Sequence, residues 1–268
     1  MKYIFFMLLL LAACQKNNFE ASFTPVAKPC QISQIEQNSY VPDRYFFDQN
    51  KRLIRSIILK EDLIRSEYQY DNTGKLVRID DFYSDNLPAG YKTYEYNSKG
   101  ALLKINHFLP DIFDPNLLKL HHYETFSYNK NNQLNRKEYW HFHGKPYMET
   151  DNYQEFDYDQ NGNIKQHRVF THLVASTSNQ MVLSITGSFE YDNAQNPFPF
   201  YALPPTTLDD IGKNNIKKLT YLSPQNRLYA EGSFEAVFEY NAQNLPSKIS
   251  YIFGDGSTKV KKIEYICL

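Results

Sequence analysis

One short unit recurs along this chain and fixes what it can fold into: aromatic-x-aromatic, an Asp or Asn, a few turn residues, then a branched apolar residue. The clearest copy runs Tyr68-Gln69-Tyr70-Asp71-Asn72-Thr73-Gly74-Lys75-Leu76-Val77-Arg78-Ile79. Others begin at Tyr94, Phe126 and Phe156, and looser copies begin at Tyr45, Phe189 and Phe238, about seven in all. Residues two apart on a strand face the same way, so Tyr68 and Tyr70 share a side. The acid or amide that follows opens a turn by accepting nearby backbone N–H groups. Gly74, Gly100, Asn132 and Gly162 each fall four residues after the second aromatic, where a hairpin of this length needs left-handed backbone. Each unit is therefore one β-hairpin.

The second aromatics stand at 47, 70, 96, 128, 158, 191 and 240. Most of these gaps hold two strands and their connections, and the last has room for one more hairpin around Pro224-Gln225-Asn226. Gly254-Asp255-Gly256 supplies a final tight turn. Between the aromatics lie Gln69, Glu95, Ser127, Asp157, Glu190 and Glu239, which gives the sheet one aromatic face and one polar face. The predicted fold is an all-β antiparallel meander, curled into a barrel or a strongly twisted sheet with an aromatic interior, because a long sheet must cover its apolar side. A membrane-spanning barrel would turn that alternation inside out. The short strands, rich in Lys and Glu, favour a barrel surrounded by water. A net charge of −1 lacks the basic field of a nucleic-acid binder.

The first 13 residues have another purpose. Lys2 precedes an apolar run from Ile4 to Leu11, the layout of a secretory signal, far short of the roughly 20 residues of a membrane-crossing helix. It ends in Leu11-Ala12-Ala13-Cys14, which resembles the lipobox of bacterial lipoproteins. The resemblance implies cleavage before Cys14 and lipid on its thiol. Residues 14–35 then read as a polar tether and 36–268 as a single β domain. Lys16 follows the cysteine closely, but amides stand where an acidic surface-export signal would have acids. Both the periplasmic leaflet of an outer membrane and the cell surface stay open. The other two cysteines, Cys30 and Cys267, lie at opposite ends of the folded region. In an oxidising compartment they are a candidate disulfide, contributing at most roughly 5 kcal/mol by closing so long a loop. Two separate thiols are the alternative.

The Y-x-Y-D-x-x-G-x-L unit resembles the YD repeats of RHS-type proteins. With the lipobox, residues 40 to 268 resemble a family of envelope lipoproteins of Bacteroidetes-type bacteria with YD-like repeats, a domain of unknown function and a porin-like β fold. That resemblance implies architecture and an envelope location, and it brings no catalytic residues.

Little in the residues points to chemistry. His141 and His143 flank Phe142 and would project from one strand face as a chelating pair, with His121 and His122 on a neighbouring strand; a structural role is the competing reading. The Asp and Asn turns offer too few carboxylates for calcium. Gly187-Ser188 and Gly232-Ser233 lack the second glycine of a nucleophile elbow, so no catalytic residue or cofactor is expected. Trp140 could stack on a sugar, and the Phe198–Pro205 run reads as a plug over the aromatic face or as an exposed lip. The expected partners are a membrane, through the lipid, and a glycan or envelope protein. The expected function is a non-enzymatic structural or binding module, with a glycan-binding or glycan-hydrolysing lipoprotein as the alternative.

Overall fold

The computed structural model describes residues 30–38, 42–58, 64–111, 113–114, 117–142, 149–172, 180–198 and 208–267. Its strands are β1 (Cys30–Gln37), β2 (Asp43–Phe47), β3 (Leu53–Ile58), β4 (Ile64–Tyr70), β5 (Leu76–Phe82), β6 (Pro88–Tyr96), β7 (Leu102–Pro110) and β8 (Leu118–Tyr128). They continue as β9 (Leu134–His141), β10 (Glu149–Tyr158), β11 (Ile164–His172), β12 (Met181–Gln195), β13 (Asn214–Leu222), β14 (Phe234–Tyr240), β15 (Pro246–Phe253) and β16 (Thr258–Cys267). Each pairs with its sequence neighbours, and β1 pairs with β16 to close a barrel. The predicted all-β meander is thus a complete ring.

Six of the seven copies close through the same turn, while the copy at Phe189 runs on in β12 and closes through an insert. In the clearest, Oδ1 of Asp71 accepts the N–H groups of Thr73 and Lys75 at 2.8 and 2.9 Å. Gly74 takes φ +84°, and the matching positions Gly100, Asn132 and Gly162 are also left-handed, as are Lys51 and Asn244 in the looser copies. The ladder then slips by one residue: Gln69 faces Arg78 but Tyr70 faces Leu76, which leaves Val77 as a bulge. The same slip occurs at Phe47, Tyr96, Tyr128, Tyr158, Tyr191 and Tyr240. It buries the first apolar residue of each return strand, such as Leu53, Leu76, Leu102, Leu134 and Ile164.

The bulge opens a gap between one hairpin and the next, and tyrosine spans it. Tyr70 Oη donates to the carbonyl of Leu53 at 2.8 Å, and Tyr96 to Leu76 at 2.8 Å. Tyr158 reaches Leu134 at 2.7 Å, Tyr191 reaches Ile164 at 2.9 Å, and Tyr265 reaches Pro246 at 2.8 Å. At the corresponding joint the Leu102 backbone bond lowers the Tyr128 phenol's pKa, the sign of an N–H given to its oxygen, while burial raises it. The hydroxyls of Tyr70, Tyr96, Tyr158, Tyr191 and Tyr265 each satisfy a carbonyl of the preceding hairpin beyond the end of the ladder between the two hairpins. This explains why the second aromatic is so often tyrosine while the first alternates with phenylalanine.

Tyr265 belongs to an eighth hairpin that the sequence reading does not count. Ile32 faces Tyr265, Gln34 faces Glu264, and the register slips between Ile32 and Gln34 as in the other copies. Here β16 is the outgoing strand and β1 the return strand, so one repeat is divided between the chain's ends. Where the other copies have an Asp or Asn turn, Cys30 and Cys267 face one another and are joined as a disulfide across 237 residues. Strand β1 takes Cys30–Gln37, which overlaps the end of the stretch 14–35 expected as tether, and supplies the other half of this hairpin. The segment around Pro224 forms a turn, with Asn226 at φ +59°, followed by a single bridge between Leu222 and Leu228 rather than a hairpin.

The aromatic face points inward. Near the repeat turns, Leu102, Ile105, Phe126, Leu134, Phe156 and Ile164 form one buried cluster, flanked by Tyr94, Tyr96, Tyr128 and Tyr158. Ile32, Ala236, Ile249, Tyr251 and Ile263 form another on the far wall. The insert between β12 and β13 enters this space: Phe198 packs against the second cluster, and Leu208 and Ile211 of a short helix, α1 (Leu208–Ile211), pack against the first. Both ends of the insert therefore plug the barrel at its turn end. Residues 199–207 lie outside the described residues.

Replacing Tyr96 by Phe should strand the Leu76 carbonyl, and we expect a loss of about 1–3 kcal/mol in urea denaturation. Tyr83→Phe, at an exposed side chain, should leave the midpoint unchanged.

Candidate functional site

Above the apolar plug the interior becomes polar. Register carries the inward row from Ile79 across to Lys92 and His107, then to His122 and His141. Asp81 accepts from Lys92 at 2.9 Å and from Ser66 at 2.5 Å. Lys137 and Glu124 pair at 3.0 Å, with only 15% and 14% of their side chains exposed. These ions face inward because Lys137 is in register with Phe126, and Glu124 with Ile105, both buried. The barrel is thus a cup, greasy at the turn end and lined by paired charges, amides and imidazoles toward the other.

Histidines crowd one sector of the cup. The rings of His107 and His122 stack with centroids 4.0 Å apart, and His122 leans on Tyr139 at 4.8 Å. His121 lies edge-on to His122 at 5.3 Å and tilted against His141 at 4.7 Å. Strict alternation would turn His121 outward; the register slip at His107/Phe108 opposite His122 and Leu120 re-aims it. Burial, reinforced by neighbouring imidazoles and by Lys92, lowers the pKa of His107 to about 3 and that of His122 to about 4. Nε2 of His107 is buried without a hydrogen-bond partner among the described residues. Farther round the wall, His167 is 3% exposed. Its Nδ1 lies 2.8 Å from the Tyr221 hydroxyl and its Nε2 lies 3.1 Å from Oε1 of Gln154. Burial holds its pKa down to about 4.

The residues singled out from sequence fall in different places. His141 reaches the cup and meets His121, while His143, Cys14 and the middle of the proline-rich insert lie outside the described residues. Among the described residues no three His, Cys, Asp or Glu side chains gather as a metal cage. Trp140 is on the outer wall. Its ring stacks on Tyr123 at 5.7 Å, Lys104 sits 4.0 Å over that tyrosine, and Nε1 donates to Thr125 at 3.3 Å. The same cation–Tyr–aromatic sandwich recurs as Arg78–Tyr91–Phe108 and Arg136–Tyr153–Phe170. Trp140 is therefore one member of a repeated set rather than a solitary platform.

That set exposes a signal in the repeat itself. Two residues after each buried Leu, Ile or Pro stand Arg55, Arg78, Lys104, Arg136, Lys218 and Lys248, with Gln166 in the remaining copy. Each faces, across its hairpin, the residue between the two aromatics. The outer wall consequently carries a belt of ion pairs. Arg78–Asp80 is 2.6 Å, Arg136–Glu138 2.7 Å, Arg168–Asp157 2.5 Å, Lys218–Glu235 2.6 Å and Lys248–Glu239 2.6 Å.

No protein-family model matches the chain, and no curated protein matches it. Among solved structures it is similar to a porin-like protein from Bacteroides uniformis, at 11% identity and a TM-score of 0.49, covering 88% of this chain and 98% of that one. It is similar to a porin-like protein from Bacteroides vulgatus at 10% identity and a TM-score of 0.42, covering 89% of this chain and 100% of that one. A protein of unknown function from Bacteroides fragilis aligns at 15% identity and a TM-score of 0.39, over 46% of this chain and 89% of that one.

The buried imidazoles set an acid limit on stability. They stay neutral in the fold down to about pH 4 or below, whereas in the unfolded chain they bind protons below about pH 6.5. The unfolded state then holds more protons, so stability falls as pH falls through that window. For His167 alone the loss should reach about 2 kcal/mol by pH 5. Denaturant midpoints at pH 7.5 and 5.0 measure it, and His167→Gln should flatten the drop.

Proposed function

We propose that this chain is an envelope lipoprotein whose barrel stands in water, held to an outer membrane by lipid on Cys14, and acts as a non-enzymatic module that binds a ligand or partner. The observation that carries this reading is the belt of ion pairs on the outer wall. A charged residue on the lipid face of a membrane barrel costs about 2–4 kcal/mol at mid-bilayer for Arg or Lys, and here six of seven repeats present one. The apolar side chains turn inward instead, the reverse of a barrel that meets hydrocarbon. No helix among the described residues is long and apolar enough to cross a membrane, which leaves the lipid as the attachment this reading requires.

Chain direction then orients the molecule. Cys30 begins β1 at the turn end, beside Cys267, so a tether from Cys14 joins the plugged base. The polar mouth faces away from the membrane, where a soluble ligand or another envelope protein reaches it. The inward carboxylates Asp81 and Glu124 are each tied to a lysine, an arrangement suited to shaping a surface rather than to acid–base turnover. The glycan-binding alternative rests on the outer aromatic sandwiches, whose ring edges lie on the surface.

Detergent phase separation of the full chain from expressing cells tests the proposal. Wild type should enter the detergent phase, and Cys14→Ala should move to the aqueous phase with the barrel still folded. A Cys14→Ala chain that stays in the detergent phase would contradict it.

A further inference from the structure

The imidazoles at the mouth of the cup have a geometry that hydrophobic packing does not explain. Nε2 of His121 and Nε2 of His141 lie 3.5 Å apart. Two imidazole nitrogens bound to one tetrahedral cation at about 2.1 Å stand roughly 3.4 Å apart. The two residues come from adjacent strands, β8 and β9, whose ladder is fixed by the pairing of His122 with His141. The bulge that re-aims His121 is what brings its ring to this edge.

The far side of His121 is arranged as well. Its Nδ1 lies 3.0 Å from Nδ1 of His122. A metal-binding histidine commonly donates its other ring N–H to a neighbour, which fixes its tautomer and orientation. Nδ1 of His122 is placed to serve as that acceptor. With the proton on Nδ1, the Nε2 lone pair of His121 is left for a cation or for the Nε2–H of His141.

We propose that His121 and His141 form a two-imidazole site for a borderline divalent transition metal such as Zn²⁺, Ni²⁺ or Cu²⁺, with His122 as the positioning residue. Imidazole donors suit these ions, and a chelate with two protein ligands leaves coordination positions open to water or to a ligand entering the mouth. His121 is exposed and His141 partly so, so the cation reaches them from solvent. The pairing differs from the His141–His143 chelate that sequence spacing suggests, because it is made across strands.

Calorimetric titration of the full, untagged chain with Ni²⁺ and with Zn²⁺ tests this. We expect one ion per chain, and binding at least tenfold weaker in His121→Ala and in His141→Ala. His121→Gln, which keeps the rim polar, should weaken it equally. With Cu²⁺, paramagnetic resonance should show nitrogen splitting from two imidazoles, reduced to one in either variant. A wild type that takes up no ion overturns the proposal, as does a His121→Gln/His141→Gln double variant that binds as wild type does.

Discussion

The tyrosine hydroxyl that crosses from one hairpin to the carbonyl of the preceding one is the interaction on which the barrel depends. A bulge in every repeat buries one apolar residue but breaks the ladder to the neighbouring hairpin at the turn end. Without a donor there, a row of buried carbonyls would go unsatisfied, at about 1–3 kcal/mol each. Tyr70, Tyr96, Tyr158, Tyr191 and Tyr265 fill that row, and Tyr128 meets the Leu102 backbone at the joint between them. Two joints lack it. Phe47 has no hydroxyl, and Tyr240 turns its own to Asp192 and Asn215. Those joints, β1 with β2 and β13 with β14, also have the thinnest pairing, two register pairs each. At these two joints the missing tyrosine bond coincides with a short strand ladder.

This division also separates the two surfaces chemically. The inner wall holds the aromatics, the plug and a polar mouth, whereas the outer wall holds cations matched to acids or stacked on rings. One repeat specifies both, since its odd and even positions face opposite ways. The functional reading follows from that contrast more than from any single residue. A barrel with ion pairs on its outer wall and an apolar plug at its turn end concentrates its inward polar groups toward the mouth.

Much of this was legible in the sequence. The aromatic alternation, the turn amides and the left-handed positions are local, and they fixed the hairpins and the inward face, while the choice between a barrel and a twisted sheet rested on the pairing of β1 with β16. The cysteine pair was visible as a candidate because both residues bracket the repeats. The eighth hairpin was hidden because its halves lie at opposite ends of the chain and Ile263 replaces the first aromatic. The cationic position two residues after each buried apolar residue was present in the text, but its meaning depends on the bulge that sets which residue it faces. The His121–His141 contact was out of reach for the same reason: it arises from a one-residue slip between β7 and β8, which periodicity alone would have placed on the opposite face.

The most direct test of the staple account is native-state hydrogen exchange, resolved by peptide. Peptides covering 43–47 and 214–222, at two joints without a staple, should exchange before those covering 134–141 and 149–158, where Tyr158 reaches the Leu134 carbonyl, since local opening follows the weakest joints. Equal protection around the ring, or earlier exchange at the stapled joints, would contradict the claim that the tyrosine hydroxyls hold the hairpins together.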